Sequence, residues 1–303
     1  MLTLFLAACS QDQLLPINPR LGVPGFPTCN RTHPLLNLSV AQAADDLVCH
    51  QLKASNASVT IATIGDSITA GVCSSGGNHP YPSQLQMLLD TSHGAGSYSV
   101  TNLGESGSTM LKKADSPYWQ RSSYITLTTN KWDIVTIMLG TNDAKDPGSH
   151  GPNNWPHDCG TPTAPKIWDC QFAADYNDMI EVVKTLGTEP GKPPKIYLMV
   201  PPPLMADNAY GMNRTVINSL YPVLVPMIAA ANSAVTGIID MFIPMGGEHQ
   251  WETDPDWPTS CAKDSEYPAC GFYCDAQSCD QCHPNDKGYK NMGNVLIRGL
   301  GLW

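Results

Sequence analysis

Short apolar runs alternate with longer segments of helical period over most of the chain. The apolar runs are rich in β-branched residues and predict buried strands; they are Val59–Ile64, Tyr98–Leu103, Ile134–Leu139, Ile196–Val200 and Gly237–Met241. The segments between and after them predict helices, namely Pro82–Asp90, Phe172–Leu186, Val216–Val235 and Asp286–Leu300. This alternation indicates the α/β class, with a five-stranded parallel sheet between two layers of helices, because parallel crossovers place helices on both faces.

Three segments fall outside this alternation. Residues 1–56 are rich in Pro and Asn, and within them only VAQAADDLVCHQL (Val40–Leu52) has the period of an amphipathic helix. We therefore expect a signal remnant and N-terminal extension over 1–56 and one main domain over 57–303. Two stretches of that domain, 144–170 and 244–282, are rich in Pro, Gly, Trp and Cys and predict long irregular loops.

The charge balance restricts the class of partner. The chain has 27 acidic and 17 basic residues, a formal net charge of −10, and no cluster of Lys or Arg. A nucleic-acid-binding surface needs a basic patch to neutralise phosphates. Nucleic acid is therefore excluded as a main partner, and anionic polymers and membranes are poor partners for the same reason.

Eleven cysteines indicate an oxidising compartment, because disulfides are rare in cytosolic proteins. Cys159 with Cys170 and Cys29 with Cys49 are candidate local pairs. A zinc site is the alternative for one group, which consists of Cys270, Cys274, Cys279, Cys282 and His283. Its spacings do not form two matched Cys-x-x-Cys pairs, so we predict disulfides and no metal.

The first residues and the glycosylation motifs both predict export. MLTLFLAACS has the character of a signal remnant, and its apolar run is too short to span a bilayer. Leu6-Ala7-Ala8-Cys9 resembles the cleavage box of bacterial lipoproteins, in which Cys9 would carry a lipid anchor. Four Asn-x-Ser/Thr sequons indicate eukaryotic secretion instead; they are Asn30, Asn37, Asn56 and Asn213. We expect a secreted protein, with a cell-surface lipoprotein as the alternative.

The candidate chemistry starts at TIGDSITAG (Thr63–Gly71), where a predicted strand ends at Gly-Asp-Ser and a helical segment follows. A serine at such a strand-to-helix turn projects its hydroxyl above the carboxyl edge of the sheet. A hydroxyl is a weak nucleophile at its free pKa, so it needs a nearby base that a third group orients. In DQCHP, Asp280 precedes His283 by three positions, which lets the carboxylate hold the imidazole tautomer while the ring faces Ser67.

Negative charge developing on a substrate oxygen also needs hydrogen-bond donors. ESGST (Glu105–Thr109) follows the second predicted strand and supplies a glycine N–H, and GTND (Gly140–Asp143) follows the third and supplies the Asn142 amide. Each residue taken alone has an ordinary structural role, Ser67 as a helix N-cap and Asn142 as a turn former. Their occurrence together and in order favours catalysis.

The blocks GDSITAG, NLGESGST, LGTND and DQCHPNDKGY have the order and spacing of the four blocks of SGNH hydrolases, also called GDSL esterases. The resemblance runs from about Val59 to the C-terminus. It implies a three-layer α/β/α sandwich with a flavodoxin-like strand order. It also implies a catalytic domain that works without a cofactor or metal.

Carried over position by position, the resemblance implies that Ser67 is the nucleophile, His283 the general base and Asp280 its orienting group. The implied reaction is ester hydrolysis through an acyl-Ser67 intermediate. The oxyanion hole would consist of N–H donors from Ser67, Gly107 (with Gly104 as the alternative glycine) and Asn142.

Features that are less specific than the four catalytic blocks indicate the substrate. TMLKKADSPYWQ (Thr109–Gln120) is similar to segments of acetylxylan-esterase and sialate-O-acetylesterase-like members of that superfamily. Trp155, Trp251 and Trp257 lie in the two long loops, where each suits sugar stacking and the filling of a loop core equally. The polar loops favour a short acyl group on a small-molecule or polysaccharide ester. Lipases, phospholipases or thioesterases with longer acyl chains are the alternative, followed by a secreted binding protein without turnover.

Overall fold

Five strands form one sheet in which every pair of neighbours is parallel. They are β1 (Val59–Gly65), β2 (Tyr98–Gly104), β3 (Ile134–Met138), β4 (Lys195–Val200) and β5 (Val235–Asp240). Their spatial order is β2-β1-β3-β4-β5, which is the flavodoxin-like order. The predicted fold class and strand set are therefore confirmed.

The computed structural model describes residues 58–146, 154–205, 208–247, 271–273 and 282–303. These residues belong to one unit, Asn56–Trp303. The predicted N-terminal extension, the Cys29–Cys49 pair and most of the 244–282 loop lie outside the described residues, so they stay predictions.

Six α-helices are described around the sheet. They are α1 (Ser67–Ala70), α2 (Tyr81–His93), α3 (Ser122–Thr129), α4 (Gln171–Val183), α5 (Tyr221–Ala231) and α6 (Asp286–Gly299). The prediction of one helix over Val216–Val235 is wrong at both ends of that segment. The chain starts there with a π-helical turn over Val216–Leu220, and α5 ends at Ala231 because Val235 already pairs in the sheet.

The core has two halves, one on each face of the sheet. Along β1, Ile61 packs in one half and its neighbour Ala62 in the other, as the alternation of side chains along a strand requires. The first half contains Leu85 of α2 and Leu296 of α6. The second contains residues of α4 and α5, among them Tyr176 and Leu224. Helices thus cover both faces, as predicted for a three-layer sandwich.

The predicted disulfide between Cys159 and Cys170 is present. It closes a loop that contains a short antiparallel hairpin, Gly160–Thr161 with Ala164–Pro165. Cys73 is disulfide-bonded as well. Among the described helices, none combines the length and apolar character that a membrane crossing requires.

Close packing between β2 and α1 makes Gly104 a structural residue. A Cβ at this position would lie 2.2 Å from the backbone nitrogen of Ala70 and 2.6 Å from the carbonyl carbon of Thr69. Backbone atoms of a packed helix cannot shift cheaply, so no side chain fits between this strand and α1. This role explains the glycine without assigning it to catalysis.

We expect Gly104→Ala to lower the melting temperature by roughly 4–8 °C, because overpacking costs about 2 kcal/mol and a domain of this size shifts by about 2–4 °C per kcal/mol. Gly77→Ala is the matched control, since a Cβ at Gly77 meets nothing within 4 Å. Calorimetry of both variants checks the expectation. Equal melting temperatures for the two variants would contradict the described packing of α1 on β2.

Candidate active site

Ser67 is the first residue of α1 and follows directly on β1. The turn between them needs Gly65, since a Cβ there would lie 1.9 Å from the hydroxyl of Thr69 and 2.9 Å from the carbonyl oxygen of Met138. The N–H groups of a first helical turn have no intrahelical acceptor. Ser67 therefore presents both its hydroxyl and its backbone N–H at the carboxyl edge of the sheet, as the sequence predicts.

Asp66 fixes the start of α1. Its carboxylate accepts a hydrogen bond of 2.9 Å from the backbone N–H of Ile68 and another from the hydroxyl of Thr141. The side chain is buried, and this burial raises its pKa to about 6, although both hydrogen bonds and nearby His283 oppose the rise. Asp66 thereby links the turn that carries Ser67 to the loop after β3.

His283 contacts the serine directly. Its Nε2 lies 2.8 Å from Ser67 Oγ, and its side chain is buried. The residues after it are held by the segment 271–273, because the N–H of Asn285 donates to the carbonyl of Phe272. Asn285 also caps α6 by accepting from the N–H of Gly288. With Nε2 on the serine, the Nδ1 side of the ring is the position for an orienting group; Asp280 lies outside the described residues, so its role stays a prediction.

The two other predicted donors follow β2 and β3, the strands on either side of β1. Gly107 has a φ of +78°, a conformation that favours glycine, and a Cβ there would meet no atom within 4 Å. Asn142 is buried, and its Nδ2 donates to the carbonyl of Ser108 at 3.2 Å. An amide nitrogen carries two hydrogens, so one remains for a substrate oxygen. The N–H of Gly104 already donates to Asn102 Oδ1 at 2.9 Å, so Gly107 stays the proposed glycine of the oxyanion hole.

Asp143 ties these two loops together, which sequence reasoning missed. Its carboxylate accepts hydrogen bonds from the N–H of Met110 at 2.9 Å and from that of Leu111 at 2.7 Å. The side chain is fully buried, and desolvation raises its pKa to about 7 despite both hydrogen bonds. The acidic residue that follows Asn142 in GTND was the available signal.

Asn154 braces the same loops from the other side and was not predicted either. Its Nδ2 donates to Asp115 Oδ1 at 2.7 Å and to the backbone carbonyl of Asn142 at 3.3 Å. Its Oδ1 accepts from the N–H of Asp115, and Lys145 pairs with the same carboxylate at 2.9 Å. Nothing in the sequence pattern distinguishes this asparagine from other loop residues.

Trp155 is only 1% exposed and packs against the stacked rings of Phe172 and Tyr221, with its centroid 5.5 Å from each. Of its two predicted roles, the structure assigns the loop core and not sugar contact. Trp251 and Trp257 lie outside the described residues. Asp158, Cys159 and Cys170 come close together, but the cysteines form a disulfide and supply no thiolate for a metal.

The buried carboxylate of Asp143 should make stability depend on pH. Its pKa rises from 3.8 to about 7 on folding, so its contribution is fully present below pH 3.8 and is lost as the pH rises through 7. We expect the unfolding free energy of the wild type, minus that of Asp143→Asn, to fall by up to about 4 kcal/mol between pH 4 and pH 8.

Denaturant titrations at both pH values measure this difference. Asp178→Asn is the control, because it removes a carboxylate that is 59% exposed. The unfolding free energy of the wild type, minus that of Asp178→Asn, should change little between pH 4 and pH 8. If the difference in unfolding free energy between the wild type and Asp143→Asn is equally independent of pH, this result would contradict the burial described for Asp143.

Comparison with known proteins is consistent with this geometry. An acetylxylan esterase of Xylanibacter ruminicola is 26% identical over 256 residues, covering 80% of this chain and 43% of that protein. The chain thus spans less than half the length of that relative.

Two solved structures share the fold. One is an acetyl-xylooligosaccharide esterase from Geobacillus, with 20% identity and a TM-score of 0.50 over 81% of this chain and 95% of that chain. The other is a carbohydrate acetylesterase from Sinorhizobium meliloti, with 16% identity and a TM-score of 0.50 over 80% and 98%.

The sequence profile of the GDSL-like lipase/acylhydrolase family matches residues 63–290. This match covers well over half of the sequence and includes Ser67, Asn142 and His283. The chain therefore belongs to the GDSL-like lipase/acylhydrolase family.

Proposed function

We propose that the protein is a serine esterase that removes acetyl or other short acyl groups from carbohydrate. The observation that carries the proposal is the hydrogen bond of 2.8 Å between Ser67 Oγ and His283 Nε2 at the carboxyl edge of the sheet. A hydroxyl with a base at this distance is arranged for nucleophilic attack on an ester carbonyl. Membership of an acylhydrolase family supports the reaction type.

The proposed reaction has two halves. Ser67 Oγ attacks the ester carbonyl while His283 Nε2 accepts its proton, and the oxyanion is stabilised by N–H donors of Ser67, Gly107 and Asn142. His283 then gives the proton to the leaving alcohol as the C–O bond breaks, which leaves acyl-Ser67. Water attacks this intermediate with His283 again as base, and the acid and free serine are released. Asp280 would hold the imidazole in the required orientation.

Two observations support a short acyl group on carbohydrate. The acetylxylan esterase of Xylanibacter ruminicola is similar to this chain in sequence, and the acetyl-xylooligosaccharide esterase from Geobacillus shares its fold. A long acyl chain needs a continuous apolar surface. In the described part of the chain, the exposed large apolar residues are instead scattered over different elements, such as Met87 on α2, Ile125 on α3 and Val223 on α5.

We also propose that the protein acts outside the cytoplasm. The disulfide between Cys159 and Cys170 and the disulfide-bonded state of Cys73 suit an oxidising compartment. Anchoring at Cys9 remains the lipoprotein alternative. At Asn213, the side-chain amide donates to Asp146, and a glycan at this sequon would replace one of the two hydrogens of that amide.

A chain-length profile tests the proposed substrate. We expect rates on p-nitrophenyl esters to be highest for acetate and to fall toward palmitate, with acetate released from acetylated xylan. Ser67→Ala is the blank and should lose about 10³-fold or more in kcat while it stays folded. Rates that increase with chain length would favour a lipase or phospholipase, and the absence of any Ser67-dependent turnover would favour a binding protein.

Asp280→Asn tests the orienting role. An asparagine cannot hold the imidazole in the tautomer that accepts the serine proton, so we expect kcat to fall by about 10²–10⁴-fold with little change in melting temperature. Asp286→Asn is the control, because Asp286 binds Ser75 and His79 rather than His283. An undiminished rate for Asp280→Asn would show that another group orients His283.

A further inference from the structure

The segment 208–212 has an unusual backbone for its residue types. Asn208 and Tyr210 have φ angles of +57° and +53°, and Gly211 follows with +78°. A left-handed conformation is ordinary for asparagine and glycine, but for a bulky aromatic residue it is an outlier that the surroundings must enforce. Such residues concentrate at functional sites.

Burial does not explain this conformation. The side chain of Tyr210 is 52% exposed, so the ring does not fill a core. It lies against His283, the base of the proposed reaction, instead. The ring centroids of Tyr210 and His283 are 6.0 Å apart, with the ring planes at 68°.

Backbone hydrogen bonds hold the segment in place. The carbonyl of Gly211 accepts from the N–H of Asp146 at 3.1 Å, and the N–H of Asn213 donates to the carbonyl of Ala144 at 2.8 Å. Both partners belong to the loop after β3, which also carries Asn142. These hydrogen bonds attach the segment to the loop that carries Asn142, while the ring of Tyr210 lies against His283.

The position relative to His283 determines which part of a substrate the ring would meet. In the proposed reaction His283 Nε2 gives its proton to the leaving alcohol, so the alcohol must lie next to the imidazole. The acyl oxygen points toward the N–H donors instead. A ring that lies against His283 is therefore within reach of the alcohol.

We propose that Tyr210 is a specificity-determining residue that contacts the leaving alcohol and selects alcohols with a flat apolar face, such as a pyranose ring. The C–H face of a sugar packs well on an aromatic ring. The inference rests on the proposed esterase function and adds to it the residue that recognises the alcohol.

The test compares two acetate esters that differ in the alcohol. Acetylated xylo-oligosaccharide has a sugar ring as its alcohol, whereas ethyl acetate has none, and acetate release is measured for both. For Tyr210→Ala we expect KM for the oligosaccharide to rise roughly 2- to 12-fold, the size of one aromatic contact, with kcat nearly unchanged. The kcat/KM for ethyl acetate should change less than about twofold, because that alcohol does not reach the ring.

Two further variants separate the ring from the backbone. Tyr210→Phe keeps the ring and should retain the KM of the wild type. Tyr210→Gly removes the ring and relieves the left-handed strain, so it should show the same rise in KM as Tyr210→Ala. A defect in Tyr210→Ala that Tyr210→Gly lacks would assign the effect to the backbone and overturn the proposal.

The remaining outcomes are equally decisive. An unchanged KM for the oligosaccharide in Tyr210→Ala, or an equal loss on both esters, would overturn the specificity role while leaving the esterase function intact. A wild-type protein without Ser67-dependent turnover on either ester would contradict the esterase function itself.

Discussion

The hydrogen bond between Ser67 Oγ and His283 Nε2 joins two residues that are 216 positions apart, and the arrangement of the sheet allows it to form. β1 lies between β2 and β3, so the residues that follow these three strands meet at one edge. Ser67 lies just after the end of β1, and the loops with Gly107 and Asn142 follow the two strands that flank β1. His283 reaches the same edge because α6, which starts three residues later, packs beside α2.

Two buried carboxylates hold this edge together, at a cost in stability. Asp66 and Asp143 are both fully buried, and the loss of solvation raises the pKa of each carboxyl group. A buried carboxylate is tolerated when backbone N–H groups donate to it. Here the donors are Ile68 of α1 for Asp66, and Met110 and Leu111 of the loop after β2 for Asp143. The carboxylate of Asp143 loses its solvation, and its hydrogen bonds hold the loop after β2 at a fixed distance from the loop after β3. The burial of these carboxylates therefore lowers the stability of the fold at the place where the oxyanion donors have to be held in position.

The sequence predicted the sheet because local patterns encode it, and local blocks also identified Ser67 and His283, which the structure brings together, as candidates. Buried parallel strands need continuous β-branched runs, whereas the serine after Gly-Asp indicates catalysis only together with the other three blocks. The carboxylate of Asp143 and the ring of Tyr210 act through contacts between distant loops, which no local pattern records. The helix predicted over Val216–Val235 extends too far at its C-terminal end for a similar reason, since pairing with β4 overrides the helical period near Val235. The burial of Trp155 was undecided for the same reason: only tertiary packing distinguishes a core tryptophan from a sugar platform.

Labelling with a fluorophosphonate tests the central claim most directly, because this reagent forms a stable bond only with an activated serine. The account predicts one adduct per chain, located by peptide mapping at Ser67. It also predicts that His283→Ala, with its fold verified by circular dichroism, is labelled at a small fraction of the wild-type rate, since the hydroxyl then lacks its base. Labelling at another residue, or an unchanged rate in His283→Ala, would contradict the account.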